Sequence, residues 1–278
     1  MTQTPAPKYA DLGGRRLAYD EVTPPEPRGT ILLLTGLGAK RQGWARQLPA
    51  FGQEYRTLAL DHRDVGDSDP FEAAYTVTDQ ADDAADFLHA LNIDRAHVVG
   101  ISMGGFIALN LALRYPDLVR SLVLVSTSAG GASYVPPTPE AQATLAPDFS
   151  LDPAERARRT YRAITGPGFM DAHPEVADLI GQAATERPMS PESYARQYGA
   201  ALTHDVSAHL GQIHIPTLVV HGDADPLVPY ANGQYLAGHI PNAHLVTYRG
   251  VGHIPIVERA EDFNRDVLAF IHGVTEYV

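Results

Sequence analysis

The chain of 278 residues contains no cysteine. That excludes disulfides, a cysteine nucleophile and any thiolate-bound metal, and it suits a reducing compartment. Positive charge is also in short supply: 21 Lys and Arg stand against 33 Asp and Glu, a formal net charge of −12. A surface of that sign repels phosphate backbones and anionic lipid, so neither nucleic acid nor a membrane is expected as a partner. No apolar run approaches the roughly 20 residues that span a bilayer. Residues 1–7 lack the basic start and apolar stretch of a secretion signal, and the expectation is a cytoplasmic protein, monomer or homodimer. No two histidines have metal-ligand spacing beside a carboxylate. The stretch around Gly36 and Gly38 lacks both the G-x-x-x-x-G-K-[ST] pattern of a phosphate loop and the third glycine of a dinucleotide fold. No metal and no cofactor is expected.

What the chain does have is ordinary globular composition, 44% hydrophobic, enough for a sizeable core. Short apolar runs recur at residues 31–34, 58–60, 98–101, 122–125, 218–220 and 245–246. They are continuous rather than alternating, as in strands of a parallel sheet covered on both faces. Residues 9–12 and 17–22 around Gly13-Gly14 read as an antiparallel hairpin at the sheet edge. Helix-like stretches separate the runs. One opens behind Thr78 as N-cap, with Ala81, Ala84, Ala85, Leu88 and Leu91 on one face. Alternating strands and helices predict an α/β fold. From 131 to 213 no strand pattern occurs, only helix-like pieces near 155–164, 174–184 and 191–202. The expectation is a core of 1–130 and 214–278 with a helical cap, 131–213, inserted between two strands.

The chemistry concentrates at Gly100-Ile101-Ser102-Met103-Gly104, between a strand-like run and an apolar helix-like one. Glycines two before and two after a serine define a nucleophile elbow, a turn too tight for side chains at the glycines. A serine alone is a weak nucleophile and needs a base and an orienting acid. In open α/β sheets these sit beyond the carboxyl ends of strands. The run ending at His221 is followed by Gly222-Asp223-Ala224-Asp225, so Asp223 and Asp225 are candidate acids. The next run is followed by Gly250-Val251-Gly252-His253, which makes His253 the candidate base. His221 is its main rival, although it precedes the acid and reads as a strand-end residue beneath the turn.

Serine, acid and histidine in that chain order, with Leu33-Leu34-Thr35-Gly36, Gly222-x-x-Asp225-x-x-x-Pro229 and Gly252-His253, resemble the α/β-hydrolase family over essentially the whole chain. The likeness is to serine esterase- and lipase-like members with a helical cap. The resemblance implies a mostly parallel central sheet with helices on both faces. It assigns Asp225 rather than Asp223 to the triad with Ser102 and His253, and Asp223 to the turn amides. It implies an oxyanion hole of two backbone N–H groups, Met103 and Leu37. The family's His-Gly pair is Thr35-Gly36 here, which leaves the N–H in place but removes one buttress of the loop. The implied activity is hydrolysis of small or medium carboxylic esters, lactones included, through an acyl-enzyme. Alternatives on the same scaffold are C–C bonds, peracids or N-terminal residues as substrates, or a small-molecule receptor.

Other features read as structure. Asp61-His62-Arg63-Asp64-Val65-Gly66-Asp67-Ser68 resembles a family turn, with Asp64 where the family has glycine. Trp44 reads as packing on a helix. Arg156, Arg158, Arg159 and Arg162 read as a solvated face. Tyr134, Phe149, Tyr194 and Tyr198 read mainly as packing within the cap.

Overall fold

The computed structural model describes residues 6–276; most of the 1–7 stretch read for a secretion signal lies outside them. Among the described residues one eight-stranded sheet forms, in the spatial order β1-β2-β4-β3-β5-β6-β7-β8. The strands are β1 (Lys8–Asp11), β2 (Arg16–Val22), β3 (Thr30–Leu34), β4 (Arg56–Leu60), β5 (Ala96–Ile101), β6 (Val119–Val125), β7 (Thr217–Gly222) and β8 (Ala243–Tyr248). The β1–β2 and β2–β4 pairs are antiparallel and all others parallel. The hairpin turns through Gly13 and Gly14 at φ 75° and 98°, a backbone state open to glycine, and Asp11 accepts the Gly14 amide at 2.7 Å.

Every residue of β5 and β7 is buried, which is why the runs look uniformly apolar. Successive side chains still alternate between faces. Leu32, Leu34, Val98, Leu122 and Leu124 join one core cluster beneath the helices Val77–Ala90 and Met103–Arg114. Ile31, Leu33, Val99, Val123 and Val125 join the other, against Phe263, Val267 and Ile271 of the helix Ala260–Glu276. Trp44 sits wholly buried in that second cluster, 6.5 Å from the Phe263 ring.

The helix expected behind Thr78 begins earlier. Thr76 is its N-cap, accepting from the Asp79 amide at 3.2 Å while Asp79 accepts from the Thr76 amide at 2.7 Å. This reciprocal box needs a hydroxyl and a carboxylate three residues apart. Thr78 instead donates to Asn110 on the neighbouring helix, at 3.3 Å.

Between β6 and β7 no strand forms, and the main helices are Pro153–Ile164, Pro174–Thr185 and Pro191–Leu202. The excursion closes on itself at an isolated bridge between Gly130 and Asp205. Gly130 has φ 71°, and a Cβ there would stand 2.0 Å from the His204 carbonyl oxygen, so only glycine fits. Beyond the bridge, Val206, Leu210 and Ile213 pack into the first core cluster. Arg159 and Arg162 are exposed and paired with Glu155 and Asp171 at 2.7 and 2.6 Å, while Arg156 lies over the Phe149 ring. No helix among the described residues is long and apolar enough to cross a membrane.

Candidate active site

β5, β7 and β8 run parallel, with Val125 of the intervening β6 bridging Ile101 and Val220. The loops that follow them therefore leave the same edge of the sheet. Ser102 follows β5, Asp225 follows β7 and His253 follows β8.

Ser102 stands at φ 54°, ψ −121°, a state that costs a non-glycine residue about 1–3 kcal/mol. The surroundings impose it. A Cβ at Gly100 would stand 2.3 Å from the Gly104 carbonyl oxygen, and one at Gly104 2.2 Å from that of Leu34. Strand and helix thus touch backbone to backbone, and the serine is the residue pushed outward. Its amide donates to Val125 O at 2.9 Å, and its carbonyl accepts from the Gly105 amide and the Thr127 hydroxyl, both at 2.8 Å.

Asp225 and His253 meet directly, with His253 Nδ1 2.9 Å from Asp225 Oδ2. The other carboxylate oxygen accepts the amides of Leu227 and Val228, each at 2.9 Å. Burial opposes ionisation of Asp225, but the two histidines His253 and His221 outweigh it and hold its pKa at about 2. An ionised Asp225 fixes the proton of His253 on Nδ1 and leaves Nε2 free to take one. No hydrogen bond joins Ser102 Oγ to His253 among the described residues, and such contacts commonly tighten only with substrate bound.

The rival acid and base have other work. Asp223 accepts the Gly250 amide at 2.7 Å and so ties the β7 loop to the β8 loop. His221, fully buried, places Nε2 2.7 Å from Val228 O and 3.4 Å from Asp225 Oδ2, which supports the aspartate from its far side.

The oxyanion-hole candidates lie on either side of Ser102. Met103 opens its helix, so its N–H has no carbonyl partner within that helix. Across from it, a Cβ at Gly36 would stand 3.7 Å from Ser102 Oγ, which places the 35–39 loop beside the hydroxyl. The Leu37 N–H makes no hydrogen bond among the described residues. Thr35, in the family's histidine position, donates its hydroxyl to Ala39 O at 2.9 Å and closes the loop internally.

Several supporting residues were either read only as structure or not read from the sequence at all. His62 lies 3.2 Å from Thr35 O, and burial holds its pKa down to about 4. Glu258 accepts the amides of Gly252 and Ile254 at 3.0 and 3.2 Å, on either side of His253, and that of Gly166 at 2.8 Å. The His253 amide donates to Ile164 O at 2.8 Å. Gln197 accepts the Gly38 amide at 2.6 Å. The signals visible in the sequence were the 61–68 motif that holds His62, and Glu258 as an acid in the turn opened by Pro255.

The 61–68 turn is structural as expected. Asp61 accepts the amides of Arg41 and Asp67 at 2.7 and 3.0 Å. Asp64, at φ 67°, does more than a glycine could: both its oxygens pair with Arg196 at 2.9 Å, anchoring the helix Pro191–Leu202 to the core.

This sheet, elbow and strand-end arrangement define a hydrolase of the α/β class, and a profile of the alpha/beta hydrolase fold matches residues 29–260. The chain belongs to the α/β-hydrolase fold family. It is 33% identical over 253 residues to the 2-hydroxy-6-oxononadienedioate/2-hydroxy-6-oxononatrienedioate hydrolase of Burkholderia vietnamiensis (strain G4 / LMG 22486), covering 87% of this chain and 86% of that one. It is 30% identical over 243 residues to a protein provisionally named carbamate hydrolase RutD, from Serratia proteamaculans (strain 568), covering 87% and 90%. Among solved structures, the enol-lactonase from Burkholderia xenovorans LB400 superposes with a TM-score of 0.83 at 27% identity, over 95% of this chain and all of that one.

Proposed function

We propose that the protein is a cofactor-free serine hydrolase that cleaves small or medium carboxylic esters, lactones included. Ser102 is its nucleophile, His253 its general base and acid, and Asp225 the group that orients the imidazole. Residues 131–213 act as a cap over the core formed by 1–130 and 214–278. The cysteine-free chain suits a cytoplasmic setting.

The observation that carries this reading is the 2.9 Å contact of His253 Nδ1 with a buried Asp225 at the sheet edge where the strained Ser102 projects. Ser102 Oγ attacks the ester carbonyl as His253 Nε2 takes its proton. The Met103 and Leu37 amides receive the negative oxygen. His253 then protonates the departing alkoxide, leaving an acyl-enzyme and a free alcohol. Water repeats the sequence to release the acid.

Purified protein should release 4-nitrophenol from 4-nitrophenyl acetate, and Ser102→Ala should abolish it. An unchanged rate in that variant would refute the assignment. A second reading, hydrolysis of an oxo-dienedioate, is favoured by the relative from Burkholderia vietnamiensis. Esters, lactones, carbamates and such a diacid tested side by side, each against Ser102→Ala, rank the readings by kcat/KM.

A further inference from the structure

The 35–39 loop carries its own braces at its ends: Thr35 Oγ1 to Ala39 O at 2.9 Å, the Ala39 amide to Gly36 O at 3.2 Å, and His62 against Thr35 O at 3.2 Å. None of these holds its middle. Leu37 lies between Gly36 and Gly38, the second at φ 66°, so neither flank restricts its peptide planes through a side chain. The restraint comes from a helix that enters the fold some 160 residues later. Gln197 of Pro191–Leu202 accepts the Gly38 amide at 2.6 Å and has 0% exposure. A Cβ at Gly38 would stand 3.7 Å from the Tyr194 ring and 3.8 Å from the Met189 sulfur, so the same segment covers that face of the loop. The neighbouring Arg196 fastens the helix to Asp64 through two contacts of 2.9 Å.

We propose that Gln197 is a positioning residue for the oxyanion hole, through which the helical segment sets the direction of the Leu37 N–H. By holding the Gly38 amide it fixes the Leu37–Gly38 peptide plane, and with it the rotation that aims the amide one residue earlier. This rests on the reading of Ser102 as nucleophile and Leu37 as an oxyanion donor.

The useful half of Gln197 is its acceptor, since Nε2 is buried with no partner among the described residues. That asymmetry separates positioning from packing. A packing residue at a fully buried site tolerates an apolar replacement of similar size and rejects a carboxylate. A positioning acceptor instead fails with the apolar replacement and works with glutamic acid, which burial keeps neutral and whose carbonyl oxygen still accepts the Gly38 N–H.

The test compares Gln197→Leu and Gln197→Glu with wild type on 4-nitrophenyl acetate, with thermal melts as the folding control. A trifluoromethyl ketone that adds to Ser102 provides a second readout of the oxyanion hole. For Gln197→Leu, kcat should fall by ~10–100-fold, as for a donor misplaced by a fraction of an ångström. KM should stay within about threefold, and affinity for the ketone should weaken in step with kcat, since both sense the oxyanion. Gln197→Glu should retain kcat within about threefold, because its acceptor is kept. A Gln197→Leu kcat within about twofold of wild type, or equal losses in both variants, would overturn the proposal. If Gln197→Leu does not fold, Gln197→Glu decides: near-wild-type kcat supports the role, and a loss beyond about tenfold overturns it. Wild-type activity that survives Ser102→Ala overturns the serine reading as well. Activity that needs Ser102 but not the Gln197 acceptor overturns this inference alone.

Discussion

Replacing Asp225 by asparagine changes one oxygen to an NH₂, and the structure dictates which one. Oδ1 accepts two backbone amides at 2.9 Å, so turning the NH₂ toward them would set a donor against two donors. The NH₂ must therefore occupy the Oδ2 position, 2.9 Å from His253 Nδ1. It donates there, so the imidazole must accept on Nδ1 and carry its proton on Nε2. A protonated Nε2 cannot take the proton of Ser102. Restoring the working tautomer opposes N–H to N–H in a buried site, which costs about 1–3 kcal/mol for the unsatisfied donor. The variant also loses the negative charge that steadies the imidazolium in the transition state. Together these amount to roughly 4–5 kcal/mol, or ~10³–10⁴-fold in kcat at 1.36 kcal/mol per decade. The assay is initial-rate hydrolysis of 4-nitrophenyl acetate, with circular dichroism to verify the fold. Asp223→Asn serves as control: its amide oxygen can still accept the Gly250 N–H, now made to Asp223 at 2.7 Å, and kcat should stay within about threefold. Asp225→Asn retaining more than a tenth of wild-type kcat would refute the tautomer reasoning, and a larger loss in Asp223→Asn would transfer the role to the other acid.

Gly104→Ala should fail to give folded protein or lose most activity, because its Cβ would lie 2.2 Å and 2.6 Å from the carbonyl oxygens of Leu34 and Thr35, both backbone atoms; soluble yield and melting temperature report it, and a wild-type melt would contradict the steric account of the elbow. Stability should fall on acidification between pH 6.5 and about 4. Burial holds His62, His97 and His204 down to about 4 from 6.5, so above pH 6.5 they are neutral whether folded or not. Between the two values the unfolded chain binds protons that the folded one does not, and stability is lost as pH drops. Urea midpoints across that range should decline, and His97→Gln should flatten the slope; a flat wild-type profile would contradict the burial of these rings.

The local sequence determined a great deal about this protein. Gly100, Ser102 and Gly104 mark the elbow in sequence, and the clash that demands glycine at 100 arises within one strand–turn–helix unit, whereas the clash at 104 is with the Leu34 and Thr35 carbonyls of a distant strand end. The uniformly apolar runs announced parallel strands, and water reaches neither face of the inner ones; the run at 245–246 proved to be the half-exposed edge strand β8. Chain order and strand-end placement offered His253 as the base and left Asp223 and Asp225 open as the acid, and the family resemblance pointed to Asp225. Other features had a weak local signature or none. The Thr76–Asp79 box was misread at Thr78 because every threonine near a helix start looks equally able to cap, and geometry selects one. His62 meets a backbone carbonyl and Gln197 and Glu258 accept backbone N–H groups, partners that any sequence supplies. Nothing in a glutamine at 197 reveals that a glycine amide at 38 lies against it. That pairing exists only because the helix Pro191–Leu202 docks on the core through Arg196 and Asp64. Covalent neighbours set the type of chemistry available at each strand end, whereas the hydrogen bonds that aim it join chain segments brought together only by packing.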